Sequence, residues 1–147
     1  MQEIIKKAMQ VFEIPPHRSN YLFLIPPFYV AKADGKISFK EISSICYNAA
    51  RLGLIGPQEE DSEDLNIFIE KKVEQFGEKT NLADIDLLAR AINARLEKFS
   101  PEKAQAIRER IYELCMMVAD ASGPMFGDHI SEEERQMLEK IFYKLEN

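Results

Sequence analysis

At 147 residues, with 46% hydrophobic and 30% charged residues, the chain reads as one globular domain spanning residues 1–147, long enough to bury roughly 70% of its unfolded surface. The formal net charge is −6 and Lys and Arg are dispersed, which excludes the clustered basic face that phosphate binding needs. No apolar run approaches the ~20 residues of a membrane span.

The chain opens with an amphipathic helix over residues 2–13, stopped by Pro15 and Pro16. It lacks the apolar core of a signal peptide, which predicts a cytoplasmic protein without direct membrane insertion. Residues 21–31, "YLFLIPPFYVA", form the longest apolar stretch and read as a buried segment. A second helix ends near Ala33, and Pro26 and Pro27 leave two options for it, a kink at the prolines or a start there. A third helix starts at Ser38, where Ser38 and Glu41 spell an SxxE capping box, and stops at Gly53. Asp61 or Ser62 caps a fourth, running to Phe76. A fifth covers residues 82–98, with Ile85, Leu88, Ala89, Ile92 and Leu96 at helical spacing. Ser100 followed by Pro101 opens a sixth that reaches Ala121. Ser131 and Glu134 form a second capping box and open the last helix, to Leu145. No segment alternates with period two, so the expected fold is all-α, a compact bundle of about seven helices.

Cys46 and Cys115 are far apart, with no CxxC, and read as reduced core thiols on helices. The acidic run "EEDSED", residues 59–64, reads as a solvated N-terminal cap of the fourth helix, where the helix dipole favours carboxylates.

One pattern occurs twice. "YVAKADGKISFKEISSI" is echoed by "MVADASGPMFGDHISEEERQML". Ala31, Ala33 and Gly35 align with Ala119, Ala121 and Gly123; after five extra residues, Ile37, Ser38 and Glu41 align with Ile130, Ser131 and Glu134. Both copies read as helix, short acidic turn, capped helix. From Asp34 onward the first copy reads like the second half of an EF-hand calcium loop, with Glu41 at the bidentate position. Its first half is missing, because Val30 and Lys32 stand where oxygen ligands belong. The second copy adds oxygen through Asp120, Ser122 and Asp128. Asp34 and Asp120 also lie near helix C-termini, where the dipole disfavours negative charge and a cation would offset it. The plain alternative is that Asp-Gly is a common turn and SxxE a common cap.

The "A-x-A-D-G-x-I-S-x-x-E" of residues 31–41, recurring in degenerate form over residues 119–134, resembles the TerB-like family, which includes the tellurite-resistance protein TerB and a domain of some membrane-anchored DnaJ co-chaperones. The resemblance implies a helical fold with the two motif turns close together, acidic residues that bind a divalent metal, and a role in bacterial stress or tellurite resistance. Carried over by position, the metal ligands are Asp34 and Glu41 from the first motif, and Asp120, Asp128 and Glu134 from the second. The second copy departs from the pattern at Ser122, where an acid is expected, and in the longer turn through residues 124–127.

Carboxylates rather than thiols make Ca2+ the first candidate ion. The expected function is therefore a non-enzymatic, cation-binding helical module, with an unidentified protein partner in a membrane-associated stress complex. The rival is a protein-interaction module whose acidic turns are only caps; Met125 and Phe126, in the polar turn "GPMFGD", are its best feature. An enzyme is the third option. His17 and His129 lack nucleophile partners at a recognised spacing, and neither a Gly-rich phosphate loop nor HExxH is present. His129 beside Asp128 reads as a turn residue or a metal ligand.

The charge balance carries its own test. Titrating the protein into labelled random-sequence duplex DNA at physiological salt should leave fluorescence polarisation flat; a salt-dependent rise would contradict the reading.

Overall fold

The computed structural model describes residues 2–33, 37–56, 63–78, 83–121 and 131–146. Among them are seven α-helices, one 3-10 segment and no strands: α1 Glu3–Val11, the 3-10 segment Ser19–Leu24, α2 Ile25–Lys32, α3 Phe39–Arg51, α4 Glu63–Glu78, α5 Ala83–Leu96, α6 Pro101–Ala121 and α7 Glu132–Glu146. The all-α expectation holds.

Helix α1 stops at Val11, before the prolines, because the chain turns into a left-handed residue, Glu13, at φ 52°. The amide of Ile14 donates to the Met9 carbonyl at 2.8 Å and that of Glu13 to Gln10 at 3.2 Å, closing a Schellman motif. Glycine is the usual occupant of that position, and a glutamate there is strained. Gly53, at φ 74°, ends α3 in the same way, with Leu54 N–H bonded to Ala49 at 3.0 Å. The prolines of "IPP" do not kink α2. They sit in its first turn, where their missing N–H groups have no intrahelical partner to lose.

Every residue from 21 to 31 is buried. Helix α2 is apolar on all sides, so it must be enclosed on all sides, and α4, α6 and α7 pack around it together with the 3-10 segment. Helix α5 joins α1 to α7, and α3 lies at the flank, chiefly against α6. Aromatic rings fill the joint between α2 and α4. Tyr29 meets Phe76 edge-on at 4.8 Å, Phe28 lies 5.7 Å from Phe76 and Tyr21 lies 4.8 Å from Phe68. Tyr29 is only 2% exposed, and burial, reinforced by the charge of Asp84, holds its phenol protonated well above the usual range.

No helix is long and apolar enough to cross a membrane among the described residues.

Phe28 is fully buried at the centre of this cluster, and its removal would leave a cavity among the surrounding helices. Phe28→Ala should lower unfolding free energy by about 3–5 kcal/mol in urea titrations. A loss below 1 kcal/mol would show that α2 is not the packing centre.

Candidate metal centre

The two repeated motifs fall on the α2–α3 and α6–α7 pairs. Helix α2 packs on both α6 and α7, and α6 packs on both α2 and α3. The first helix of each pair thus touches the first and second helices of the other. The turns themselves, residues 34–36 and 122–130, lie outside the described residues, and with them Asp34, Asp128, His129, Met125 and Phe126.

Both capping boxes form. Ser38 Oγ accepts the Glu41 amide at 3.1 Å while Glu41 Oε1 accepts the Ser38 amide at 2.7 Å. Ser131 Oγ accepts the Glu134 amide at 3.1 Å, and Glu134 Oε1 accepts the Ser131 amide, also at 3.1 Å. These bonds satisfy N–H groups that a helix start leaves over.

Both capping glutamates are deeply buried, and each has interactions beyond its cap. Glu41 is 1% exposed and Glu134 2%, and the second carboxylate oxygen, Oε2, is shielded from solvent in each. Glutamate is rarely buried to this degree, because losing water costs a carboxylate several kcal/mol unless charges or donors compensate. Position for position, each motif carries one buried carboxylate among the described residues. Asp120 stands apart from them in exposure: it lies in the last turn of α6 and faces solvent. No group of three or more His, Cys, Asp or Glu side chains converges among the described residues.

Cys46 and Cys115 are both free thiols, and burial raises the pKa of each, which keeps them protonated and poor as nucleophiles or metal ligands. His17 is exposed; its Nε2 lies 3.2 Å from Asp64 Oδ2, beside Arg18 Nε at 3.3 Å. These hydrogen bonds hold the Asp64 carboxyl below its usual pKa and tie residues 17–18 to the first turn of α4. Open grooves of about 710 and 550 Å3 along α6 share Tyr112 and Phe142. Their linings set Arg108, Arg110 and Arg135 against Glu109, Glu113 and Glu139, a balance with no net charge to select a ligand.

Lys72, which the sequence analysis passed over, is fully buried. Its Nζ donates to Gln75 Oε1 at 2.5 Å, lies 4.0 Å from Glu13 Oε2, and sits 5.6 Å from the centre of the Phe68 ring. Gln75 in turn donates to the Val11 carbonyl at 3.4 Å, so this cluster links α4 to the end of α1. The signal was available in the register, because Leu65, Phe68, Ile69, Lys72 and Phe76 lie on one helical stripe. A lysine on such a stripe is buried with the stripe.

Comparison with protein-family models, with curated proteins and with solved structures gives no match.

Burial lowers the Lys72 pKa from 10.5 to about 8, against the opposing pull of Glu13. Below pH 8 the amine is charged in both folded and unfolded chains, and the net cost of burying it beside Glu13, ~3 kcal/mol, is present. Between pH 8 and 10.5 the unfolded chain binds more protons, so this group's contribution to stability rises with pH. The two thiols act in the opposite direction over part of that window, since burial keeps them protonated when the unfolded chain has released its protons. The difference between Lys72→Met and wild type isolates the lysine. Lys72→Met should be more stable at pH 7, on the order of 1–3 kcal/mol, and the advantage should shrink towards pH 10.5 in denaturant titrations. A difference independent of pH would mean that Lys72 is not desolvated.

Proposed function

We propose that this protein is a non-enzymatic, TerB-like helical module that binds a divalent cation, with Ca2+ as the first candidate, and acts in bacterial stress or tellurite resistance. One observation carries the reading: the same glutamate of the same capping box is buried in both copies of the repeat, at 1% and 2% exposure. A cap needs only one carboxylate oxygen and tolerates solvent. A hard cation takes carboxylate oxygens as ligands, and deep burial of two such carboxylates would shield the site from competing water. Asp34, Asp120 and Asp128 belong to the proposed ligand set with Glu41 and Glu134, and all five are hard oxygen donors suited to Ca2+ or Mg2+. The packing of α2 and α6 on each other supports a shared location for the two turns. The proposed setting is cytoplasmic, with an unidentified protein partner in a membrane-associated complex.

A second reading draws on the completeness of the two caps. With every bond of both boxes formed, the acidic turns have a sufficient structural role, and the protein would then be an interaction module without metal.

Thermal melts of chelator-treated protein separate the two. A cation at a hundred times its dissociation constant adds about 2.7 kcal/mol when the unfolded chain binds none. For a chain of this size that raises the melting temperature by roughly 5–11 °C. Glu134→Gln keeps the capping acceptor and nearly the same shape, so it should melt normally without metal and show a reduced rise with it. If Ca2+, Mg2+ and Mn2+ all leave the wild-type melt unchanged, the cation reading is wrong and the turns are caps.

A further inference from the structure

Helix α3 turns an unusual face to solvent. Phe39 is 82% exposed and Tyr47 66%, and Lys40, Ser43 and Arg51 are exposed with them. At 100° per residue these five positions occupy an arc of about 120° on one side of the helix. The only acid of α3, Glu41, lies on the opposite side with Ile45 and Asn48, all buried. A chain whose net charge is −6 therefore presents, on one flank, two aromatic rings and two cations with no carboxylate contributed by that helix.

The positions are also spaced as a recognition surface. Phe39 and Tyr47 are eight residues apart, a rise of about 12 Å, and Lys40 and Arg51 span about 16 Å. Helix α3 packs chiefly on α6, which leaves this outer side open. Aromatic side chains supply rigid apolar contact at low entropic cost, and Arg beside aromatic rings is the usual composition of a binding hot spot.

We propose that the exposed face of α3 docks an acidic amphipathic helix of a partner protein. The partner's apolar side chains, spaced one to two turns apart, would pack on Phe39 and Tyr47, and its carboxylates would pair with Lys40 and Arg51. Charge decides against an anionic bilayer as the occupant. Proteins held on such surfaces carry clusters of roughly 4–8 basic residues, whereas this face has two and the rest of the chain is acidic. The proposal does not depend on cation binding.

The test is a selection of randomised helical peptides displayed on phage against the full-length chain, followed by polarisation titrations of the enriched peptides. The expected result is enrichment of acidic peptides with apolar residues at i, i+4 and i+8. Their affinity should fall by about tenfold or more in Tyr47→Ser and in Lys40→Glu/Arg51→Glu, and high salt should weaken it. These side chains are exposed, and Arg51 donates to Asn48 Oδ1 within its own helix at 3.2 Å, so the variants should melt within a few degrees of wild type, which confirms that any larger loss of binding is local. Failure to enrich any peptide would overturn the proposal. So would enrichment of neutral or basic peptides, or binding unchanged by these variants. Co-sedimentation of the wild type with phosphatidylserine–phosphatidylcholine vesicles, lost in Tyr47→Ser, would assign the face to a membrane instead.

Discussion

The enclosure of α2 is the constraint from which the rest of the architecture follows. Residues 21–31 bury every side chain, and each large apolar one among them contributes about 1.5–3 kcal/mol by leaving water. A segment this apolar has no solvent face to offer, so helices must cover it on all sides. Its own backbone groups need partners as well, which the 3-10 segment and the helix provide locally. The two prolines help here, since they sit where a helix start has N–H groups to spare. Helices α4, α6 and α7 then take their places around α2, and the two motif-bearing pairs meet because their first helices share this core.

Polar groups are buried at the edges of that enclosure. Lys72 lies where α4 meets the end of α1, and the strained residue at that end, Glu13, supplies the carboxylate nearest its amine. A glycine at residue 13 would relieve the backbone and remove the counter-charge. Glu41 and Glu134 lie where α3 and α7 begin. In each place a helix end and a buried ionisable group coincide, so local stability depends on polar interactions more than it does in the aromatic centre.

The helix starts were legible because caps are local chemistry. Ser38, Ser100 and Ser131 each accept a backbone N–H three residues on, as their spacing predicts. The ends were less so. The Schellman turn at Glu13 uses a residue that carries no glycine signal, and α1 stops before the prolines that announce its end. Burial of the capping glutamates depends on which helices cover them, information that a local motif lacks. The resemblance to the TerB-like family rests on those same short motifs. Lys72 was hidden by its type: its position on the apolar stripe outweighs its charge, and the pattern of neighbours was the better guide.

The flanking position of α3 has a kinetic meaning. A helix that leans mainly on one neighbour can detach at less free-energy cost than global unfolding, so its amides should exchange ahead of those of the enclosed α2. Its first turn holds Glu41 inward and Phe39 outward, two residues apart. Opening of this helix would therefore expose the buried carboxylate and disperse the outer aromatic face in one event.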